Sequence, residues 1–266
     1  MADTEFDYAG MFATEDRHFW FRSRNRVLAD VVRGAVRDFP AGYRALEVGC
    51  GTGYVLRMLE QECRGGQVMG AELSEEGAAF ARRRVGCPVV RANVYDLPFT
   101  DPFHLIGLFD VLEHLEDDPG ALRGLRARTV PGGRLILTVP AYMALWSHTD
   151  EAGGHYRRYT PKGLRQVLAE AGWEAERVTP FMLPLAPVMW LARNAAAVLN
   201  RFRPGRRKTG RELALDELRP IPVFNGLMRG LLALEAPVVR RCNLPFGASL
   251  LAVARNPAAV ATRVAA

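Results

Sequence analysis

The stretch Leu46-Glu47-Val48-Gly49-Cys50-Gly51-Thr52-Gly53 decides the fold of this 266-residue chain. Arg44 to Gly49 is a short apolar run ending in glycine, which reads as a buried strand, and Tyr54 to Glu62 reads as a helix. The glycines between them permit a sharp turn and let a ligand approach bare backbone. The helix start beyond them offers unpaired N–H groups and a partial positive charge to an anion. An acid ends the next strand: Glu72 lies 19 residues after Gly53 (72 minus 53), placed to accept hydrogen bonds from both hydroxyls of an adenosine ribose. The dinucleotide fingerprint is G-x-G-x-x-G, whereas here Gly49-x-Gly51-x-Gly53 runs into Tyr54, which argues against a nicotinamide cofactor.

The same rhythm continues outward. Strands are predicted at Gln67–Leu73, Pro88–Ala92, Phe103–Asp110 and, after Pro131-Gly132-Gly133, Arg134–Val139. Helices are predicted at 75–85, capped by Ser74, and at Pro119–Thr129. Strands alternating with helices indicate a parallel sheet covered on both faces. Residues 1–40 are predicted helical and 141–160 a polar loop. Thr160-Pro161 opens a helix to Glu170, and Trp173–Met182 and Ser249–Ala254 supply a sixth and seventh strand. Residues 183–247 read as two apolar helical stretches around a basic, proline-bearing middle, inserted into the sheet domain.

Composition excludes several classes. With 49% hydrophobic and 24% charged residues the chain can bury a core, so disorder is not expected. The net charge of +6 is a moderate basic excess. Cys50, Cys63, Cys87 and Cys242 form no C-x-x-C pair, so neither a zinc site nor a disulfide framework is expected, and reduced thiols suit a cytoplasmic protein. Met1 to Phe12 lacks the basic and apolar regions of a secretory signal. Val178 to Leu199 is broken by Pro180, Pro184, Pro187 and Arg193, which makes it a poor membrane span. No H-x-x-x-H or comparable spacing points to a metal.

Taken with Ala92-Asn93-Val94-Tyr95-Asp96-Leu97-Pro98-Phe99, Asp110-Val111-Leu112-Glu113-His114-Leu115 and Pro131-Gly132-Gly133-Arg134-Leu135, the glycine loop resembles motif I of class I S-adenosylmethionine-dependent methyltransferases, in the flavour of the small-molecule, ubiquinone-biosynthesis type. The resemblance covers about residues 44–182. It implies an α/β, Rossmann-like, mostly parallel sheet of order 3-2-1-4-5-7-6 with strand seven antiparallel. It also implies a helical lid at 1–40, a core of 41–182 and 248–256, and the 183–247 insertion as acceptor roof or membrane foot. S-adenosylmethionine is then the cofactor. Gly49, Gly51 and Gly53 would line its methionine and ribose, Glu47 would place its amino group, and Glu72 and Leu73 would meet the ribose side. Asn93 and Val94 would meet the adenine edge, and Phe109 and Asp110 the methionine end. Asn93 departs from the family's usual acid, and Asn93 as a turn former and Asp110 as a helix cap stay open. In the lid, Trp20 could cover the sulfonium and Arg24 could pair the cofactor carboxylate, alongside ordinary packing of the aromatics.

Methyl transfer needs alignment, plus a base when the acceptor is a hydroxyl or ammonium. Ligands bind outside the carboxyl ends of strands in open α/β sheets. The 146–159 loop therefore offers His148 or His155 as base, with His114 and Tyr159 next in line. Trp146, Arg157 and Arg158 would hold an acceptor, unless the arginines only pin the loop. From Arg177 to Arg211 there is no acid, while Arg193, Arg201, Arg203, Arg206, Arg207 and Lys208 flank apolar stretches. A hydrophobic, anionic small-molecule or lipid-like acceptor fits this pattern, and so does peripheral contact with the inner face of a membrane. Nucleic acid does not fit, because the aromatics are not interleaved as stacking platforms. A non-methylating reaction on the same cofactor fold, such as a cyclisation, or a non-catalytic membrane-associated binding module, stands as the alternative.

Overall fold

The computed structural model describes residues 6–191 and 221–257. Its centre is a seven-stranded sheet in the order β3-β2-β1-β4-β5-β7-β6. The strands are β1 (Arg44–Val48), β2 (Gln67–Glu72), β3 (Val89–Arg91), β4 (Phe103–Phe109), β5 (Thr129–Pro140), β6 (Glu174–Phe181) and β7 (Ser249–Arg255). Pairing is parallel from β3 through β5, and β7 runs antiparallel between β5 and β6. The expected order and the reversed seventh strand are both present.

The helices are α1 (Tyr8–Thr14), α2 (Phe19–Val36), α3 (Tyr54–Glu62), α4 (Glu75–Arg84), α5 (Asp118–Ala127), α6 (His148–Ala152), α7 (Pro161–Glu170) and α8 (Pro222–Arg241). Alternation along the strands splits the core between the two faces of the sheet. Leu105 and Ile136 point into a cluster with Leu28 and Val32 of α2, Leu56 and Leu59 of α3, and Met228 and Leu232 of α8. Ile106, Leu135 and Leu137 point the other way, toward Leu122 and Leu125 of α5 and Leu164 and Leu168 of α7. The capping predicted from sequence operates: Ser74 accepts from the Gly77 N–H, and Thr160, ahead of Pro161, accepts from the Gly163 N–H at 3.0 Å.

Two elements differ from expectation. β5 begins at Thr129, ahead of Pro131-Gly132-Gly133, because Thr129 already pairs with Phe103 and the glycines form an irregularity inside the strand, with Gly132 at φ 81°. Residues 141–160 are not all loop. A 3₁₀ turn spans Met143–Leu145, and α6 is held by a capping box between Ser147 and Asp150.

α8, from the segment read as an insertion, docks on α2 and the turn before it. Asn225 Oδ1 accepts from the Phe19 N–H at 2.7 Å, Asn225 Nδ2 donates to the Arg17 carbonyl, and Phe224 meets Phe19 edge to face. Its outer side carries Val223, Leu227, Leu231, Leu234 and Val238, all exposed. No helix among the described residues is long and apolar enough to cross a membrane. The basic run Arg193, Arg201, Arg203, Arg206, Arg207, Lys208 and Arg211, with Phe202, lies outside the described residues.

Candidate functional site

The glycine loop closes on β2: the Gly49 and Cys50 N–H groups both donate to the Ala71 carbonyl. Gly49, Gly51 and Gly53 all have positive φ, at 73°, 51° and 78°. Their surroundings separate them. A Cβ on Gly49 would strike the Val111 side chain, and one on Gly53 would come within 3.0 Å of Ala81 Cα on α4. A Cβ on Gly51 would meet nothing within 4 Å. The outer two glycines therefore serve packing, and Gly51 turns its face to open space. Glu72 braces the turn. Its Oε2 accepts from the Gly51 N–H at 2.7 Å and its Oε1 accepts from the Ser74 N–H at 2.9 Å. Each carboxylate oxygen keeps a second lone pair for a ligand hydroxyl.

Beneath the loop lies Glu47, 2% exposed, whose Oε2 has no hydrogen-bond partner. Burial pushes its carboxyl well above the usual range, Arg24 opposes that shift, and Glu72 and Glu15 add to it. Such an oxygen is costly unless a donor arrives. Arg24, also buried, pairs with Asp110, and its guanidinium lies 4.5 Å from the Trp20 ring centroid. Asp110 itself has φ 54° and accepts from the Thr138 hydroxyl at 3.1 Å. A non-glycine residue in the left-handed region is uncommon, and such strain gathers at functional sites. Trp20 and Arg24 of α2 are thus linked to Glu47 and Asp110 at the sheet edge.

The remaining cofactor candidates sit as follows. Phe109 and Val94 are buried, whereas Leu73 and Asn93 are exposed. The Asn93 side-chain oxygen accepts from the Tyr95 N–H at 3.1 Å, the turn-forming use left open by its residue type.

The 146–159 segment is organised by Asp150, which is fully buried. Burial alone would raise its pKa, but hydrogen bonds from His155 and Arg158 hold it below the usual carboxylate range. Arg158 donates to both of its oxygens, at 2.7 and 2.9 Å, and His155 Nδ1 lies 2.9 Å from Oδ1. Arg157 pairs with Asp118 and donates to the Glu116 carbonyl. The buried Tyr159 hydroxyl donates to Asp118 Oδ2 at 2.7 Å, and burial with that bond pushes its pKa up. Both arginines and Tyr159 are therefore committed to internal acids. His148 stands on the first turn of α6, and the half-buried Trp146 lies just ahead of it. His114 and His155 meet edge to face with ring centroids 4.6 Å apart. Burial and the neighbouring His155 lower the His114 pKa to about 4.

Sequence reasoning missed Glu113, Asp118 and Asp150. Glu113 is 1% exposed, with Oε2 unpartnered. Its carboxyl is raised well above the usual range by burial and by nearby Asp110. The S-x-x-D spacing of Ser147 and Asp150 could have revealed α6, but nothing in a Glu-His pair announces burial.

Comparison with known proteins places this geometry in a family. The family model described as a methyltransferase domain matches residues 12–178. An uncharacterized 37.1 kDa protein in transposon Tn4556 of Streptomyces fradiae is 30% identical over 217 residues, 76% of this chain and 61% of that protein. The chain spans less than two thirds of the length of the curated relatives it matches. Among solved structures, phosphoethanolamine N-methyltransferase 2 of Haemonchus contortus in complex with S-adenosyl-L-methionine aligns with a TM-score of 0.59 at 17% identity, over 96% of this chain and 58% of that one. The [4+2]-cyclase SpnF aligns with a TM-score of 0.56 at 19% identity, over 90% of this chain and 84% of that one. At these identities the structural likeness speaks for the fold. The chain belongs to the methyltransferase-domain family.

Proposed function

We propose that this chain binds S-adenosylmethionine at the glycine loop and transfers its methyl group to a hydrophobic small-molecule or lipid-like acceptor. The observation that carries the reading is the buried, unpartnered Glu47 oxygen beneath Gly51, whose α-carbon faces open space. A ligand carrying an ammonium next to a ribose fits both features. Glu47 would accept from the amino group, Glu72 from the ribose hydroxyls, and Val94 and Leu73 would flank the adenine, with Asn93 at its edge. Arg24 Nε, buried and unpartnered, would meet the carboxylate, and Trp20 offers a π face to a sulfonium. When bound, the cofactor supplies a methyl group activated by the sulfonium. The protein's part is to align donor and acceptor and to exclude water.

The acceptor would enter between the lid and the 146–159 segment, where His155, oriented by Asp150, is the candidate base. The apolar outer side of α8, docked on the lid, supports a hydrophobic acceptor or a lipid surface as its source. Because the same fold serves a cyclase, the deciding assay is product formation. Calorimetry should show binding of S-adenosylmethionine and S-adenosylhomocysteine and none of NAD. Incubation with candidate acceptors should release S-adenosylhomocysteine. Cofactor binding without that release from any turned-over acceptor would favour the cyclisation alternative, and absence of binding would refute the reading.

A further inference from the structure

Beyond the glycine loop, the carboxyl edge of the sheet gathers a second set of groups: His155, the candidate base, stands beside Glu113 and His114, to which the proposed reaction gives no role, and as a metal ligand it would act through the ion instead of taking the proton itself. Glu113 and His114 sit on the 3₁₀ turn Leu112–His114 after β4, and His155 comes from the segment after α6. One ligand atom from each, a carboxylate oxygen and two imidazole nitrogens, lies within 4.8 Å of the others. We infer that Glu113, His114 and His155 form a binding site for a divalent transition-metal ion, such as Zn²⁺ or Co²⁺, next to the acceptor.

Three features point to a cation. First, Glu113 is buried and its Oε2 has no partner, while the arginine that faces it, Arg158, is already engaged by Asp150. A buried carboxylate without a donor is expensive unless a cation joins it. Second, the Asp150–His155 hydrogen bond at Nδ1 fixes the ring and leaves Nε2 as a lone-pair donor. This is the carboxylate–histidine arrangement that orients metal-bound imidazoles. Third, the His114 ring meets the His155 ring edge to face with centroids 4.6 Å apart, so a second imidazole nitrogen is held beside the first. Two imidazoles and a carboxylate suit first-row transition ions, and three protein ligands leave open positions, as catalytic sites do.

The role follows from the methyl-transfer reading and rests on it. An acceptor hydroxyl bound at an open position would lose its proton to solvent, its pKa lowered by the ion. The oxygen's electron pair would form the new C–O bond as the C–S pair returns to sulfur. The site therefore selects an oxygen acceptor.

The test needs no acceptor. Full-length protein is stripped with EDTA and titrated with Co²⁺, followed by visible absorption, and then with Zn²⁺ in competition. One Co²⁺ per chain, displaced by Zn²⁺, is expected. Glu113→Gln and His155→Gln should each weaken Co²⁺ binding by more than the roughly 10–100-fold typical of losing an outer-shell partner. His155, which is only half-buried, keeps the test decisive if the Glu113 variant fails to fold. No stoichiometric Co²⁺ or Zn²⁺ binding, or affinity unchanged in the folded variants, overturns the site. S-adenosylmethionine affinity measured on the stripped protein is independent. If it persists while metal binding fails, the metal site alone is overturned.

Discussion

Glu72→Gln keeps the size of the side chain and removes its charge, and its consequences divide into two measurable parts. In the protein without ligand, Glu72 accepts from two backbone N–H groups, those of Gly51 and Ser74. A glutamine offers one carbonyl oxygen and one NH₂, so one half-buried N–H faces another donor. A hydrogen bond to a charged group is worth roughly 1.5–3 kcal/mol, and a buried unsatisfied group costs roughly 1–3 kcal/mol. A loss of about 3 kcal/mol follows. At roughly 2–4 °C per kcal/mol for a chain of this size, Tm should fall by about 6–12 °C. The second part is cofactor affinity. Loss of one charge-assisted bond to the ribose should weaken S-adenosylmethionine by about 10–100-fold, since 1.4 kcal/mol is tenfold. Differential scanning calorimetry reads the first part and titration calorimetry at a temperature below both transitions reads the second. A variant with the wild-type Tm would refute the bracing role, and one with wild-type affinity would refute the ribose role, independently.

Three further outcomes follow from the same geometry. Gly51→Val should abolish cofactor binding while costing only about 1–2 kcal/mol of backbone strain, whereas Gly53→Val, which pushes on Ala81, should lower Tm strongly. Equal Tm values in the two variants would contradict the packing distinction. Because burial raises the Glu47 pKa above its unfolded value, the native state holds this proton longer than the unfolded chain, so stability falls as pH rises above the ordinary carboxylate range. Glu47→Gln should then be more stable than wild type without cofactor at about pH 7, with the advantage gone near pH 4, yet bind S-adenosylmethionine more weakly. A Tm difference that does not change with pH would remove the argument. Tyr159→Phe should cost about 1–2 kcal/mol by leaving Asp118 short of one donor and should leave turnover intact, whereas His155→Ala should cut turnover by about 10²–10⁴. A collapse of turnover in the tyrosine variant would make that hydroxyl catalytic after all.

What could be read in advance was local, and what could not was a matter of partners. α3 and α7 were legible to the residue because each joins a periodic apolar face to a distinct start, glycine in one case and Thr160-Pro161 in the other. Pro131-Gly132-Gly133 reads as a turn and so shortens the expected β5, and only the pairing of Thr129 with Phe103 reveals a strand already under way. The glycine loop was visible as a motif, yet its division of labour was not. Val111 and Ala81, which make Gly49 and Gly53 packing residues and leave Gly51 facing open space, arrive from β4's loop and from α4. The same rule governs the charges after β5. Arg157 and Arg158 look like a pair of anion holders as letters, but Asp118 and Asp150 neutralise both in the fold, and the second of these partners also orients His155. Once those pairs are closed, the unmatched groups are the informative ones: Glu47 under the loop and Glu113 beside two imidazoles. Both are buried carboxylate oxygens without donors. The positions where folding leaves a polar group unpaid are therefore the positions where ligand charge should be sought first.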